Sequence, residues 1–321
     1  MNTLEALKQY TKVVADTGNL DEISALKPEE ATTNPTLILK AVQRESESKC
    51  LFEAYDLAKT LINNPPSCQQ ILQACLIVFA RKILQIIPGR VSIEVDSRLS
   101  FDTQATVEAA QNLVQIAKQA KVDTRRILIK IAATWEGIQA AKILETLGIA
   151  CNCTLIFNSV QALACAQAKV TLISPFVGRI YDWHCAHMID KAMKEDPGVI
   201  SVKQIYYLLK SQGFCTEIMG ASFRNIDEIL ALAGCDRLTI APKYIEQMQQ
   251  MDCTVVPKLI PPAKVEQPPE VKASDFHWQM SQDAMATEKL AEGIRLFAKD
   301  NDILCQKIEQ VLKDNYLSYS Y

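Results

Sequence analysis

The sequence predicts a closed (β/α)8 barrel with additional C-terminal helices. Three observations carry that expectation: eight short, continuously apolar segments, a helical segment after most of them, and no G-x-G-x-x-G turn after the first strand. Strands that read as unbroken apolar runs are those of parallel sheets covered on both faces. Eight of them within about 240 residues close into a barrel more readily than they extend an open doubly wound sheet, which would carry the glycine-rich turn.

The elements follow in order. "TKVVADTG" at 11–18 is a short strand ending in Asp16 and a turn. "ATTNPTLILKAV" at 31–42 is the weakest of the eight, with Thr32, Thr33 and Asn34 on a loop and Pro35 opening either a helix or a short strand. Helices are expected near 45–61 and 68–87, separated by the breaker-rich "NNPPS" at 63–67 and closed by Pro88 and Gly89. Strand 91–95 precedes helix 103–120, and strand 126–130, ending in Lys130, precedes helix 134–147, closed by Gly148. The second half repeats the pattern, with strands at 151–157, 170–174, 215–220 and 235–240 and helices at 159–168, 201–212 and 225–233. From about 241 the character changes. A segment with five prolines between 257 and 269 is expected to run over the surface, tethered by its Val, Leu and Ile residues. Two terminal helices, near 283–299 and 301–314, carry an apolar stripe of Leu290, Ile294, Phe297, Ile303, Ile308 and Leu312 to cover the barrel mouth or flank, and "YLSYSY" at 316–321 is expected to fray. The whole chain, 1–321, is expected to be a single barrel domain including this tail.

Composition narrows the function. Net charge is −3, from 34 basic and 37 acidic residues, so no nucleic-acid groove or anionic-membrane surface is indicated. The opening "MNTLEALKQY" lacks a leader pattern and no apolar run reaches the roughly 18 residues needed to span a bilayer, which points to a soluble, intracellular chain. Eleven cysteines, an odd number without a secretion signal, read as reduced thiols, most of them small core residues. Neither the C-x-C pair Cys151/Cys153 nor His184 and His187 has further ligands at metal-site spacing, so no metal is expected.

In such a barrel the strand C-termini and the loops after them build the active mouth. Here they carry Asp16, Thr32, Asn34, Glu94, Lys130, Asn152, Thr154, Ser174, Arg179, Ser222 and Arg224. Lys130 is the informative one. Held in a packed ring of strands between "ILI" and "IAATW", the ammonium form is disfavoured, and a neutral amine can attack a carbonyl. The resulting Schiff base withdraws electrons and lets a neighbouring carbon–carbon bond of a hydroxyketone break or form. Asp16 and Glu94 are the groups to move protons, Asp16 at the departing hydroxyl and Glu94 through water at the imine. Asn34, Asn152 and Thr154 are placed to bind hydroxyls. Arg179, Ser222 and Arg224 can clamp a terminal phosphate with fork-shaped donors. Asp96, beside Arg98, is read as structural.

These motifs together resemble the long-chain transaldolases: "VVADTG" at 13–18, "ATTNP" at 31–35, "EVDSRLS" at 94–100, "ILIKIAATWEGI" at 127–138, "CNCTLIF" at 151–157, "ISPFVGRI" at 173–180 and "MGASFRN" at 219–225, with a late "DFHWQMSQDAMATEKLAEGIRLFAKD" at 275–300. The resemblance implies a cytoplasmic, often dimeric (β/α)8 enzyme of the pentose phosphate pathway. Such an enzyme moves a dihydroxyacetone unit from sedoheptulose 7-phosphate to glyceraldehyde 3-phosphate, giving erythrose 4-phosphate and fructose 6-phosphate, with no cofactor. It implies Lys130 as the Schiff-base lysine, Asp16 as proton carrier, and Glu94 acting through a water held by Thr154. Asn34 and Asn152 would hold donor hydroxyls, Thr32 and Ser174 would line the pocket, and Arg179, Ser222 and Arg224 would form the phosphate site. Phe176 matches the aromatic that favours transfer over release. Ala133 and Asn158 depart from the family pattern, each standing where a serine is usual. Two other readings stay open at this point: an aldolase releasing free dihydroxyacetone, and a non-catalytic sugar-phosphate-binding barrel.

Overall fold

The computed structural model describes residues 1–61, 65–187 and 195–316. Its centre is a closed parallel barrel in chain order, with the first strand paired to the eighth. The strands are β1 (Lys12–Asp16), β2 (Glu30–Thr32), β3 (Val91–Glu94), β4 (Ile127–Ala132), β5 (Cys151–Ile156), β6 (Leu172–Pro175), β7 (Glu217–Gly220) and β8 (Arg237–Ile240). The second strand is three residues long and precedes the "NP" turn, because Asn34 caps a helix that starts at Pro35. The alternatives of helix or strand after Asn34 are thus decided for helix, and the weak second strand expected within 31–42 runs instead over Glu30–Thr32.

The helices are α1 (Thr3–Lys8), α2 (Leu20–Leu26), α3 (Pro35–Val42), α4 (Glu45–Leu61), α5 (Cys68–Ile86), α6 (Thr103–Gln119), α7 (Trp135–Thr146), α8 (Ser159–Gln167), α9 (Gly178–His187), α10 (Pro197–Ser211), α11 (Ile226–Leu230), α12 (Pro242–Gln250), α13 (Ala273–Gln282) and α14 (Ala284–Tyr316). Polar residues on the loops that follow strands start many of them. Asn34, Asp102, Thr134, Asn158 and Asn225 each accept a hydrogen bond from a backbone N–H in the first turn, and Ser67 and Gln70 form a reciprocal capping box.

Period-two alternation sorts the barrel residues onto two faces. Ile127, Ile129 and Ile131 belong to the large core between strands and helices, whereas Val14, Leu128, Leu172 and Met219 form a separate apolar cluster inside the barrel. Below that cluster, at the strand N-termini, four charges close the barrel floor. Arg90 donates to Glu30 at 2.8 Å and to Glu217 at 2.6 Å, while Arg237 reaches the same two carboxylates at 2.9 and 2.6 Å. Above it, two residues along each strand, stand Asp16, Lys130, Ser174 and Ala221, so the apolar layer is the platform on which the polar mouth rests.

The terminal segment differs from expectation in one respect. The two helices expected at 283–299 and 301–314 are one continuous 33-residue helix, α14, preceded by the separate α13. Asp300, Asn301 and Asp302 have low helix propensity and suggest a break, but tertiary contacts override it: Thr36 on α3 donates to Asp300, Arg98 pairs with Asp302 at 2.9 Å, and Asn301 is buried. Leu290, Ile294, Phe297 and Ile308 are buried as expected and Ile303 is partly so, whereas the Leu312 side chain and 317–321 lie outside the described residues, as does part of "NNPPS". The proline-rich segment has no regular structure and is tethered as expected. Val255 and Leu259 are buried, the N–H groups of Lys258 and Leu259 both donate to the Ala233 carbonyl, and Gly234 is indispensable because a Cβ there would meet the Leu259 oxygen at 2.2 Å.

Candidate active site

Register brings three candidates side by side: Glu94 on β3 is level with Lys130 on β4, which is level with Asn152 on β5. Lys130 lies deeper than its sequence position indicates. The strand continues through Ala132, so the lysine is two residues short of its end rather than at it. Its environment also differs from the expected one, because Ile129 and Ile131 point away toward the helices. The apolar cover comes instead from the far end of the chain: the Phe297 ring of α14 sits 5.8 Å from Lys130 Nζ.

Lys130 is 5% exposed, its Nζ 3.3 Å from Glu94 Oε2 and 3.4 Å from the Thr33 carbonyl, to which it donates. The contact to Glu94 is a charge pair without hydrogen-bond alignment: neither Glu94 oxygen makes a hydrogen bond, nor does the buried Thr154 hydroxyl or Arg179 Nη1. Buried polar groups are normally satisfied within the protein, so three such groups around one mouth mark a place shaped for an outside partner. A cavity of about 80 Å³ reaches Thr154, bordered also by Asp16, Thr32, Lys130, Ser174, Phe176 and Ser222, with Ala221 and Thr239 completing its wall.

Burial raises Glu94 above the usual carboxylate range against the attraction of Lys130. It raises Asp16 likewise, against Lys130 and the Thr32 hydrogen bond. Carboxyls held closer to neutrality can both give and take a proton at working pH. The linkage has a definite sign. A carboxyl whose folded value is raised contributes stability that is fully present below the unfolded value, about 3.9 for Asp, and is lost as pH rises through the folded value. Asp16→Asn removes that loss, so the thermal midpoint of the variant minus that of the parent should increase from pH 4 to pH 8. A difference that falls with pH in differential scanning fluorimetry would contradict the environment assigned to Asp16.

Other candidates are positioned by polar chains. Thr32 donates to Asp16 Oδ1 at 3.0 Å, which uses its one proton, so the 2.6 Å contact between the Thr32 and Thr239 hydroxyls has Thr239 as donor. Ser174 donates to Asn152 Oδ1 at 2.7 Å, and Asn152 Nδ2 donates to Ser92 at 3.0 Å, so both ends of this fully buried amide are engaged. Asn34 uses its Oδ1 to cap α3. Thr154 precedes Leu155, which has φ 56° where the β5–β6 register shifts.

The arginine pair is asymmetric. Arg179 is stacked between the Phe176 and Phe297 rings, at 5.3 and 5.7 Å, and burial lowers its guanidinium below the ordinary range. Arg224 is locked by Asp182, which accepts from Nε at 3.1 Å and Nη2 at 2.6 Å, while Nη1 reaches both oxygens of Ser222 at 3.3 Å. Ser222 adopts φ 65°, and its carbonyl accepts from the Gly178 N–H at 2.7 Å. That approach requires glycine, since a Cβ at 178 would meet the Ser222 oxygen at 2.4 Å.

Sequence reasoning missed Ser92, Thr239 and Asp182. The first two were readable, as lone hydroxyls between apolar neighbours in "VSI" and "LTI" face inward by alternation. Asp182 left no such signal, whereas Phe297, expected to cover the mouth or flank, lies over Lys130 and Arg179 in the mouth. Asp96 is structural as expected, capping a turn at Ser97–Leu99 and pairing with Arg98 at 2.6 Å. Most cysteines are buried as expected, although Cys185, Cys215 and Cys253 are exposed.

A family model described as Transaldolase/Fructose-6-phosphate aldolase matches residues 13–308. Transaldolase A of Escherichia coli is 49% identical over 318 residues, covering 97% of this chain and 99% of that protein. A transaldolase of Shewanella amazonensis is 50% identical over 315 residues (97% and 98%), and one of Haemophilus influenzae 50% over 307 residues (94% and 96%). With the barrel, the buried lysine and these near-full-length likenesses together, the chain belongs to the transaldolase/fructose-6-phosphate aldolase family.

Proposed function

We propose that Lys130 is the nucleophile of a dihydroxyacetone transfer, from sedoheptulose 7-phosphate to glyceraldehyde 3-phosphate, in the mouth of this barrel. The enzyme is a transaldolase, a transferase. The observation that carries the mechanism is the buried Lys130 amine, 3.3 Å from Glu94 and in one cavity with Asp16 and the unsatisfied Thr154 hydroxyl.

The amine attacks the ketone carbon, and the carbinolamine loses water, with Glu94 moving protons through a water held against Thr154. Asp16 then takes the proton of the hydroxyl next to the bond that breaks. The aldehyde leaves, and the bonding pair passes into the iminium to give an enamine on Lys130. The second aldehyde takes that pair, Asp16 returns the proton to the new alkoxide, and water releases the ketose. The carrier is the lysine itself, so no metal or organic cofactor enters any step. Asn34, Asn152, Thr32 and Ser174 hold and frame donor hydroxyls, and Arg179, Ser222 and Arg224 take the phosphate, with Arg224 exchanging Asp182 for it. Phe176 favours transfer because a phenyl ring has no proton to give the enamine.

A cytoplasmic setting and a homodimer belong to the same reading. Among the described residues no helix is long and apolar enough to cross a membrane, and the eleven cysteines are reduced thiols, which supports a reducing compartment.

The direct test is reductive trapping: fructose 6-phosphate and borohydride should leave a three-carbon adduct on the peptide containing Lys130. An adduct mapped to another lysine would sink the mechanism, and cleavage of fructose 6-phosphate at full rate without an acceptor would make the enzyme an aldolase. Arg224→Ala should raise KM for phosphorylated acceptors by about 10- to 100-fold, the value of charged hydrogen bonds to phosphate, and leave unphosphorylated glyceraldehyde almost unaffected. Equal losses with both acceptors would remove Arg224 from the phosphate site.

A further inference from the structure

Gln161, on α8, is fully buried, and every polar atom of its side chain is engaged. Nε2 donates to the Ala133 carbonyl at 2.9 Å and to the Leu155 carbonyl at 3.0 Å, and Oε1 accepts from the Phe157 N–H at 2.8 Å. Two protons at one end and lone pairs at the other make this set specific to a carboxamide in one orientation, because the reversed amide would press its oxygen against two carbonyl oxygens. Asn158, which caps α8, accepts from the Gln161 N–H at 3.2 Å and fixes the backbone from which the side chain reaches.

What the amide holds is an irregular stretch of β5. Between the pairs Cys153–Ile173 and Ile156–Pro175 the chain advances three residues on β5 but two on β6, so β5 carries one extra residue. Leu155 takes up the excess in the left-handed region, at φ 56°, and its side chain packs so closely on α14 that a Cβ at Gly293 would meet Leu155 Cδ2 at 2.6 Å. A leucine is strained there, and a bulge leaves backbone groups outside the ladder. Gln161 satisfies two such groups, the Leu155 carbonyl and the Phe157 N–H. Its third bond ties them to Ala133, whose own N–H donates to the Thr154 carbonyl at 2.8 Å. Thr154 is therefore clamped by Ala133 at its own carbonyl and by Gln161 at the next. It lines the cavity, and its buried hydroxyl has no partner among the described residues.

We propose that Gln161 is a positioning residue for proton transfer at the imine: it holds the bulge in the conformation that aims the Thr154 hydroxyl into the cavity, where it fixes the water serving Glu94 and Lys130. The proposal rests on the reading of Lys130 as the Schiff-base nucleophile with Glu94 acting through that water. Gln161 itself lines no part of the cavity and acts through Thr154. Without the amide, two carbonyls and one N–H are buried without partners, and the bulge relaxes to find others. A hydroxyl displaced by about 1 Å is enough to cost about 100-fold in the step it serves. Binding of the sugar phosphates, which falls to other side chains, stays as it is.

The test is a double-mutant cycle on the full chain, with kcat and KM for transfer measured and the borohydride adduct mapped in each variant. Gln161→Met keeps the length of the side chain and loses its donors and acceptor; Thr154→Val removes the hydroxyl in a similar shape. In the parent background Gln161→Met should lower kcat about 10- to 100-fold, slow accumulation of the Lys130 adduct to match, and leave KM nearly unchanged. In the Thr154→Val background the same change should lower kcat by less than about twofold, because the group it positions is gone. A merely structural residue would cost the same factor in both backgrounds, and that additivity overturns the proposal, as does an unchanged kcat or a loss confined to KM. Should Gln161→Met fail to fold, Gln161→Glu, which keeps the shape and as the neutral acid one of the two protons, goes through the same cycle under the same criteria. The trapped peptide separates this proposal from the reading beneath it. Additive losses in an enzyme whose adduct maps to Lys130 overturn the role of Gln161 and leave the mechanism standing, whereas a parent adduct on another lysine overturns the mechanism and, with it, the relay that Gln161 serves.

Discussion

Lys130→Ala loses dihydroxyacetone transfer by about 10⁴-fold or more, on the scale of removing a covalent nucleophile elsewhere, while the barrel remains folded. No other amine can take over within this geometry, since the cavity wall contains one lysine among Asp16, Thr32, Thr154, Ser174 and Phe176. The fold tolerates the change because what is left behind is a pair of carboxyls that can protonate. Removing the cation takes away the attraction that opposed burial at both Glu94 and Asp16, so both rise further and are neutral over a wider range. Coupled-enzyme assays with both sugar phosphates, alongside far-ultraviolet circular dichroism, check this. Transfer at near-parental rate in a folded variant would remove Lys130 from the chemistry.

Arg237→Met acts at the opposite end of the barrel, on stability. Glu30 and Arg237 are both 6% exposed, and the floor they form with Arg90 and Glu217 is satisfied on every side by ion pairs of 2.6–2.9 Å. Breaking a buried pair from one side leaves a charge stranded, at a cost of about 3–5 kcal/mol. The urea midpoint should drop accordingly, with the slope unchanged. Burial pushes Glu30 up, but hydrogen bonds from Arg90 and Arg237 outweigh it and leave its carboxyl below the usual range. Its contribution to stability is therefore present above the unfolded value of about 4.3 and is lost as pH falls through the lower folded value. The penalty of Arg237→Met should shrink in acid, and adding Glu30→Gln should recover part of it at neutral pH. A double variant as unstable as the sum of the singles would mean that packing, not charge, holds the floor.

Much of this was legible from residues alone. Apolar runs four to six residues long, spaced by helices, announced the barrel because a strand buried on both faces has to be apolar throughout. The polar residues ending those runs announced the mouth. What stayed illegible was contact between remote segments. Asn34 and Asn152 read as hydroxyl binders, but their caps and amide partners emerge only when α3, β3 and β6 are in place. The break expected near residue 300 vanished because Asp300 and Asp302 have partners on α3 and beside β3. Arg224 read as open to a phosphate, yet its fork is engaged by Asp182, 42 positions away.

The sequence by itself determined the eightfold alternation, the inward positions and the lysine that lines the mouth, since strand periodicity is a local property of the chain. The tertiary structure alone decided that Phe297 roofs Lys130 and that Arg179 is held between two rings. These depend on where α14 crosses the mouth, which is fixed by the summed packing of segments that no local pattern connects.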